Sequence, residues 1–520
     1  MPEGQGRKWR GEQAAIGVVR ALAAVTLVGA FVYMAVHTLR WPLMQDAQVL
    51  HYVNFLTDHG FAPYRTIGDM NMPGAYWMER FGMAVFGAGD LGFRLYDICL
   101  MVAMTAAMVA IALPYDWLAG LFAGVLFAVI HAADGPKGGG QRDAVMAVLL
   151  VLGLAFLLHS VRRRTAAWMA LGGFFFGMAT AVKPTIAPLG LLLLLMAALE
   201  LRKRGVRAAP FVVYGVVGAG APAVLFVEFL LHYRALGAFV AMNREVTSYY
   251  AHLYRVGFAS LLRECMPRPM RLLVPFGLAA VALNLGREKL GRENLGRENW
   301  ERWALALAVA FGAFSYFVQG KGYYYQRYPL IAMTLLWFAI ELSIAARRRG
   351  FARAIGVAGL ALGIFGLTPL FAARARTVFY SNIFTETLEA DLRQIGVAGL
   401  QHNVQCLDMV DGCMNALYHL KIVQQTGMTG DNLLFAPDAS YAVVQEARRA
   451  FWDGLVARPP DVFVISDEQF MDPASFDKLE RWPEFAQYLA EHYDLYCARS
   501  FPITVAYRIY VRKGSFADRQ

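Results

Sequence analysis

Between residues 14 and 371 the chain alternates apolar blocks with short polar loops, and the blocks lie near 14–36, 92–113, 116–133, 144–160, 166–182, 185–200, 209–231, 271–285, 303–318, 328–346 and 352–371. A helix rising 1.5 Å per residue crosses a hydrocarbon core about 30 Å thick in about 20 residues, the order of length of these blocks. The pattern predicts a polytopic α-helical membrane protein with about 11 transmembrane helices. The first block is too long for the apolar region of a cleavable signal peptide and has no obvious small-residue cleavage site, so it reads as a signal anchor.

From about residue 372 the pattern changes to regular charge and turn signals such as Arg458-Pro459-Pro460-Asp461. Amphipathic helical stretches at 388–400, 440–455 and 476–492 alternate with strand-like runs at Val462–Ile465 and Ile503–Val511. That mixture predicts a small soluble α/β domain over 372–520, set beside a transmembrane domain over 1–371 whose first external loop covers 37–91.

Composition agrees with this division. The chain is 58% hydrophobic and only 17% charged, against about 25% charged in an ordinary soluble protein. The net charge of +10 comes largely from clusters in loops: Arg7, Lys8 and Arg10; Arg162 to Arg164; Arg202 to Arg204 with Arg207; Arg287 to Arg302; and Arg347 to Arg349 with Arg353. These clusters fall on every second loop, as positive-inside topology requires, so they place the N-terminus in the cytoplasm and argue against nucleic acid as a partner. The same parity keeps the stretch around Lys183 as two spans. It also puts everything after about 372 on the external, periplasmic side of a bacterial inner membrane. The five-residue repeat starting at Leu285, Leu290 and Leu295 matches no helical period and reads as a tandem duplication in a solvated loop. Cys406 and Cys413, seven residues apart, suit a local disulfide in an oxidising compartment, with Cys497 a competing partner.

The candidate chemistry lies at the external ends of the spans. The first external loop is long, aromatic and sparsely charged: Trp41-Pro-Leu-Met-Gln45-Asp46, then Gly60-Phe-Ala-Pro63-Tyr64-Arg65, then Asp69-Met-Asn71-Met-Pro73-Gly74-Ala-Tyr76. Val49, Tyr52, Val53 and Leu56 recur at helical spacing and predict an amphipathic helix lying in the membrane interface. Asp46 reads either as the N-cap of that helix or as a general base or metal ligand. Asp143, after Gly138-Gly-Gly140-Gln141-Arg142, has the same two readings, and Asp69 reads as a turn residue or a ligand contact. Lys183 sits on the external side, where the positive-inside rule disfavours lysine. The run Gln319-Gly-Lys321-Gly-Tyr323-Tyr-Tyr325-Gln-Arg327-Tyr-Pro329 adds two more cations among four tyrosines. An aromatic belt with snorkelling cations explains the tyrosines; an anion site explains Gly-Lys-Gly better, because glycine admits close backbone approach and cations pair with phosphate oxygens.

The order of these pieces resembles the GT-C membrane glycosyltransferases, and within them the branch of protein O-mannosyltransferases and the lipid A aminoarabinose transferase. The matching pieces are an early aspartate, Gly60-x-x-Pro63-Tyr64, Asn71-x-Pro73-Gly74-x-Tyr76, Phe86-Gly87, Arg94, Gly140-Gln-Arg-Asp143, Val182-Lys-Pro184 and Gln319-Gly-Lys-Gly322, spread over residues 14–371. The resemblance implies transfer of a sugar from a polyprenyl-phosphate donor to a lipid, glycan or protein acceptor on the periplasmic face. It assigns Asp46 and Asp143 to catalysis, and Lys183, Lys321, Tyr325, Arg327, Tyr64 and Asp69 to substrate binding. It leaves room for a divalent metal held by Asp46 and Asp143, the one cofactor in view. The protein O-mannosyltransferases carry paired acids in the first loop, whereas here Gln45 precedes Asp46. The alternative functions are a flippase or transporter for a lipid-linked saccharide, or an O-antigen-type ligase.

Overall fold

A computed structural model describes residues 3–289, 299–469, 472–502, 505–515 and 517. The repeat units at Leu290 and Leu295, and the first residues of the strand expected from Ile503, therefore lie outside the described residues. The chain forms two compact units: Met1–Arg40, Arg94–Val224 and Val256–Val378 make the first, and Trp41–Phe93, Leu225–Arg255 and Phe379–Gln520 the second. The division expected from sequence kept the first external loop with the spans; the compact units group it with the C-terminal tail.

The first unit is helical. Among the described residues, eight helices are long and apolar enough to cross a membrane: Gln13–Thr38, Asp90–Ala112, Arg142–Arg163, Pro184–Lys203, Ala209–His232, Trp300–Gln319, Tyr324–Ala346 and Phe351–Arg376. The shorter apolar helices Trp117–Ala133 and Ala167–Val182, with the helix Val274–Lys289, stand at the other three positions the hydropathy pattern marked. Two of the long helices are enclosed by protein, with 83% of the most apolar window of Tyr324–Ala346 and 78% of that of Arg142–Arg163 buried, against 11% for Gln13–Thr38. A helix apolar on all sides has no solvated face to present, so these two form the centre and the others present apolar surface outward. Small residues let helices close on one another, as membrane helices commonly do. A Cβ on Gly173 would stand 2.0 Å from the carbonyl oxygen of Gly215 in the helix Ala209–His232.

Antiparallel helices give this unit two chemically distinct ends. Asp116, Arg162, Glu301, Glu341 and Arg347 lie at or near one end of their helices, while Asp134, Asp143, Lys183, Gln319 and Arg327 lie at the opposite end of theirs. Arg162 to Arg164, Arg202 to Arg204 and Arg347 to Arg349 fall at the first end, and Asp143, Lys183, Lys321, Tyr325 and Arg327 at the second.

The second unit carries a four-stranded sheet of order β1-β2-β4-β3. The strand β1 (Val404–Leu407) runs parallel to β2 (Val462–Ser466). The strand β3 (Tyr493–Arg499) pairs antiparallel with β4 (Tyr507–Arg512), which pairs antiparallel with β2. Successive side chains of a strand point to opposite faces, and β2 fills two cores in this way. Val462 and Val464 pack in one with Leu388, Leu417 and Ile509. Phe463 and Ile465 pack in the other with Phe451, Trp482 and Phe485. The helices expected in the tail appear as Ile383–Ile395, Ala442–Ala457 and Pro483–His492.

One expectation changes here. The helix Asp46–Asp58 forms, yet its apolar residues Val49, Tyr52, Val53 and Leu56 are buried in the core that contains Leu388, Met414 and Leu417. Protein, not a membrane interface, covers that face, because the amphipathic helices Ile383–Ile395 and Cys413–His419 bring the matching apolar surface. The Tyr52 hydroxyl fixes the arrangement by donating to the Ile422 carbonyl at 3.1 Å and accepting from the Gln424 amide at 2.9 Å. Cys406 and Cys413 are joined in a disulfide, leaving Cys497 free.

Candidate functional site

In the first unit, the residues singled out at the ends of the spans gather around Lys183. The helix Ala167–Val182 stops at that residue, which takes an extended conformation (φ −148°, ψ 105°) before the short turn Pro184–Ile186. Proline lacks the N–H a helix needs and pushes the residue before it out of the helical region, so the break lies where Lys183-Pro184 puts it. The ammonium donates to Asp143 Oδ1 and to Gln319 Oε1, each at 2.7 Å. Gln319 is itself held by donating to the Ser315 carbonyl at 2.9 Å. Burial pushes the Lys183 ammonium below the ordinary lysine value, against the opposing pull of the Asp143 carboxylate. A lysine has three N–H donors, and among the described residues two of them are taken.

Asp143 is not the helix cap of the simpler reading. The N-cap of Arg142–Arg163 is Gln141, and Asp143 stands in the first turn, with its side chain only 3% exposed. There the unsatisfied backbone N–H groups of the helix start favour a negative charge. The loop before it is fastened from several sides. Arg94 donates to the Pro136 carbonyl at 3.3 Å, Gln141 to the Lys137 carbonyl at 3.2 Å, and Arg327 to Asp134 Oδ1 at 2.9 Å. His131 is hydrogen-bonded to Asp97 at 3.1 Å. Gly138 is required by space: a Cβ there would come within 2.8 Å of the Tyr328 hydroxyl.

Lys321 is buried between Gly320 (φ 65°) and Gly322 (φ 70°), two left-handed positions that glycine takes without steric cost. Only Gly320 separates it from Gln319, the Lys183 partner, so Lys183 and the 319–327 run do come together. Arg327 is more committed than the sequence suggested, because besides Asp134 it donates to the Glu264 carbonyl at 3.2 Å. Tyr325 stacks on Tyr323 with ring centroids 5.4 Å apart.

In the second unit, Asp46 opens the helix Asp46–Asp58, half-buried, and its N-cap is Gln45 at φ 55°. As with Asp143, the aspartate lies inside the helix start and a glutamine occupies the cap. Asp69 accepts from Asn71 Nδ2 at 2.8 and 2.9 Å and from the Tyr76 hydroxyl at 3.0 Å, and Tyr64 donates to the Asn71 carbonyl at 2.5 Å. These bonds give Asp69 and Tyr64 the work of holding the loop's turn. Among the described residues, the acidic grouping whose ligand atoms lie within 4.8 Å of one another is Asp408, Asp411 and Glu468, in the second unit, and it includes neither Asp46 nor Asp143.

Asp134, Asp97, His131 and Gln319 were not singled out from sequence. Gln319 stood in the quoted motif and was passed over because an uncharged amide gave no signal of its own. Asp134 is separated from Arg327 by 193 residues.

Residues 71–226 match the family model described as dolichyl-phosphate-mannose-protein mannosyltransferase. That segment contains Asp143 and Lys183 but not Asp46, Lys321 or Arg327. No curated protein sequence matches the chain. Among solved structures the chain is similar to ArnT from Cupriavidus metallidurans bound to undecaprenyl phosphate, with a TM-score of 0.56 at 16% identity over 97% of this chain and 100% of that one. It is similar to the archaeal oligosaccharyltransferase AglB from Archaeoglobus fulgidus in complex with an inhibitory peptide and a dolichol-phosphate, with a TM-score of 0.51 at 13% identity over 94% of this chain and 74% of that one. An Archaeoglobus fulgidus oligosaccharyltransferase in complex with zinc and sulfate gives a TM-score of 0.50 at 14% identity over 93% and 72% of the two chains. At such identities the structural likeness speaks for the fold. Residues 71–226 match that family model, and over nearly its whole length the chain has a fold similar to those of ArnT and AglB.

Proposed function

We propose that the chain transfers a sugar from a polyprenyl-phosphate donor to a hydroxyl of a lipid, glycan or protein acceptor, with the donor's phosphate held at the end of the helical unit that carries Asp143 and Lys183. The observation that carries this reading is the state of Lys183: a largely buried ammonium held at 2.7 Å by Asp143 and by Gln319, with one N–H donor left to give among the described residues. The similar ArnT and AglB structures hold undecaprenyl phosphate and a dolichol-phosphate, and a lipid phosphate is the anion this ammonium suits.

In the reaction the bond between the anomeric carbon and the phosphate oxygen breaks while the acceptor oxygen bonds to that carbon. The acceptor's proton passes to a carboxylate, and the lipid phosphate leaves with the negative charge. Asp46 is the proposed base, since Asp143 is already engaged by an ammonium. Positioned bases contribute on the order of 10²–10⁴-fold. Lys183 and Lys321 neutralise the departing phosphate, Arg327 keeps the 319–327 run in place through Asp134, and Tyr325 offers a ring face to the sugar. Asp143 then orients Lys183. A divalent metal does not fit at Asp143 as it stands, because Lys183 places its positive charge against Oδ1; no step here runs through one.

Topology completes the proposal: the N-terminus is cytoplasmic and the site and C-terminal domain are periplasmic, so alkaline phosphatase fused after Phe371 is active. The direct test is transfer by the purified full-length protein from polyprenyl-phosphate sugars, together with the accumulation of lipid-linked sugar in a deletion strain. Absence of both would end the reading.

A further inference from the structure

The second unit joins the first external loop to the C-terminal tail, and several bonds between the two converge on the residues around Asp46. Both backbone polar groups of the buried Leu43 are held. Its N–H donates to Asp90 Oδ1 at 2.7 Å, and its carbonyl accepts from Asn415 Nδ2 at 3.4 Å. His419 Nε2 stands 3.8 Å from the same Asp90 oxygen, and its other ring nitrogen lies 2.7 Å from Glu389 Oε1. Asn415 and His419 are four residues apart in the helix Cys413–His419, so they leave it on one side. One helix of the tail therefore reaches Leu43 twice, directly through Asn415 and by way of Asp90 through His419.

On the other side of Asp46, Gln48 donates to the Val410 carbonyl, and the Tyr52 hydroxyl bridges Ile422 and Gln424. Between these two anchorages stands Gln45, at φ 55° and ψ −134°. Residues with a side chain rarely take that conformation, and they keep it only where the surroundings over-determine it. Here the flanks do so, with Leu43 gripped before Gln45 and the helix Asp46–Asp58 gripped after it. Release of either anchorage lets the backbone relax at Gln45, and the Asp46 carboxyl, one residue on, moves with it. Attachment of the tail needs none of this, because the apolar core around Leu56, Leu388 and Leu417 already provides it. What the bonds to Leu43 fix is the direction in which the Asp46 helix starts.

We propose that Asp90 and Asn415 are positioning residues that set the Asp46 carboxyl through the Leu43 backbone, which makes the C-terminal domain part of the transfer apparatus. The proposal rests on the reading of Asp46 as the base.

The test compares Asp90→Ala, Asp90→Asn and Asn415→Leu with the parent as full-length proteins. Turnover, the Kd for polyprenyl phosphate, the melting temperature and amide hydrogen exchange over residues 41–50 are measured on each. Asp90→Ala and Asn415→Leu speed exchange in that segment about tenfold and lower turnover about ten- to a hundredfold, since a misplacement of about 1 Å costs up to about 10²-fold. The Kd stays within about twofold of the parent, a split that general damage to the fold would not produce. Asn415→Leu keeps the melting temperature, because among the described residues Asn415 Oδ1 is buried without a donor and its removal offsets the lost bond to Leu43. Asp90→Asn still offers an oxygen to the Leu43 N–H and recovers most of the turnover. Full turnover in Asp90→Ala and Asn415→Leu beside an inactive Asp46→Asn overturns this proposal alone. So does a loss of turnover that is matched by a loss of donor affinity and a lower melting temperature. Full turnover in Asp46→Asn removes the base itself, and the proposal with it.

Discussion

The two ends of the helical unit both hold buried ion pairs, and they are built differently. At the basic end Arg302 grips Glu341 with two prongs, Nε to Oε1 at 2.6 Å and Nη2 to Oε2 at 2.9 Å, and Asn284 adds a third bond to Oε2 at 2.6 Å. Arg162 holds Glu301 in the same forked manner at 2.9 and 2.7 Å, with the Tyr115 hydroxyl donating at 3.1 Å. At the other end a lysine meets one oxygen of Asp143 and one amide oxygen. A planar guanidinium matches a carboxylate edge to edge and saturates it, whereas an ammonium is a point charge with donors to spare. The difference separates pairs that close a structure from a pair that can still take a ligand.

Asp46→Asn, in the second unit, tests the proposed reaction itself and has the largest expected effect. Turnover falls on the order of 10²–10⁴-fold, while the melting temperature moves little, because asparagine at a helix start forfeits only about 0.3–1 kcal/mol of charge–dipole stabilisation. Full activity in the variant, measured as sugar transferred per folded molecule, would remove Asp46 from catalysis. At the basic end the expected loss is stability. Arg302→Met leaves Glu341, whose side chain is 1% exposed, buried without its cation, which costs about 3–5 kcal/mol. Thermal unfolding in detergent reads that loss, and the transfer rate of the molecules that remain folded is unchanged. A variant that stays stable but loses transfer would erase the distinction between the ends. The third effect is smaller and depends on pH. Burial holds the Lys183 ammonium below the ordinary lysine value, and only the protonated form pairs with phosphate. Donor KM therefore rises as pH climbs through a value below that of a free lysine, and Lys183→Arg, which stays charged, loses this alkaline limb. An alkaline limb that persists in Lys183→Arg assigns the titration to another group.

The long apolar helices were legible because crossing a membrane would impose a length and a polarity that single residues cannot hide. The break at Lys183 was legible too, from the parity of basic loops, and the chain makes it with Pro184. What covers the apolar stripe of Val49, Tyr52, Val53 and Leu56 was not legible. Periodicity reports that a face is apolar, while lipid and protein satisfy it equally, and the partner surface lies more than 300 residues further on at Leu388 and Leu417. A separation of 193 residues in sequence likewise hid the pairing of Asp134 with Arg327. The strands β1 and β3 escaped notice for opposite reasons. β1 is only four residues long, and β3 exposes most of its side chains, so neither shows a regular alternation of apolar and polar positions.

The central claim is that Lys183 holds the phosphate of a lipid donor, and binding measures it without the complications of turnover. Polyprenyl phosphate is titrated onto the full-length protein and onto Lys183→Gln, with unfolding temperatures compared to establish that both are intact. A charge-assisted bond of about 1.5–3 kcal/mol predicts a Kd raised about ten- to a hundredfold in the variant. Equal affinity in the two proteins would contradict the account and leave Lys183 as the structural partner of Asp143.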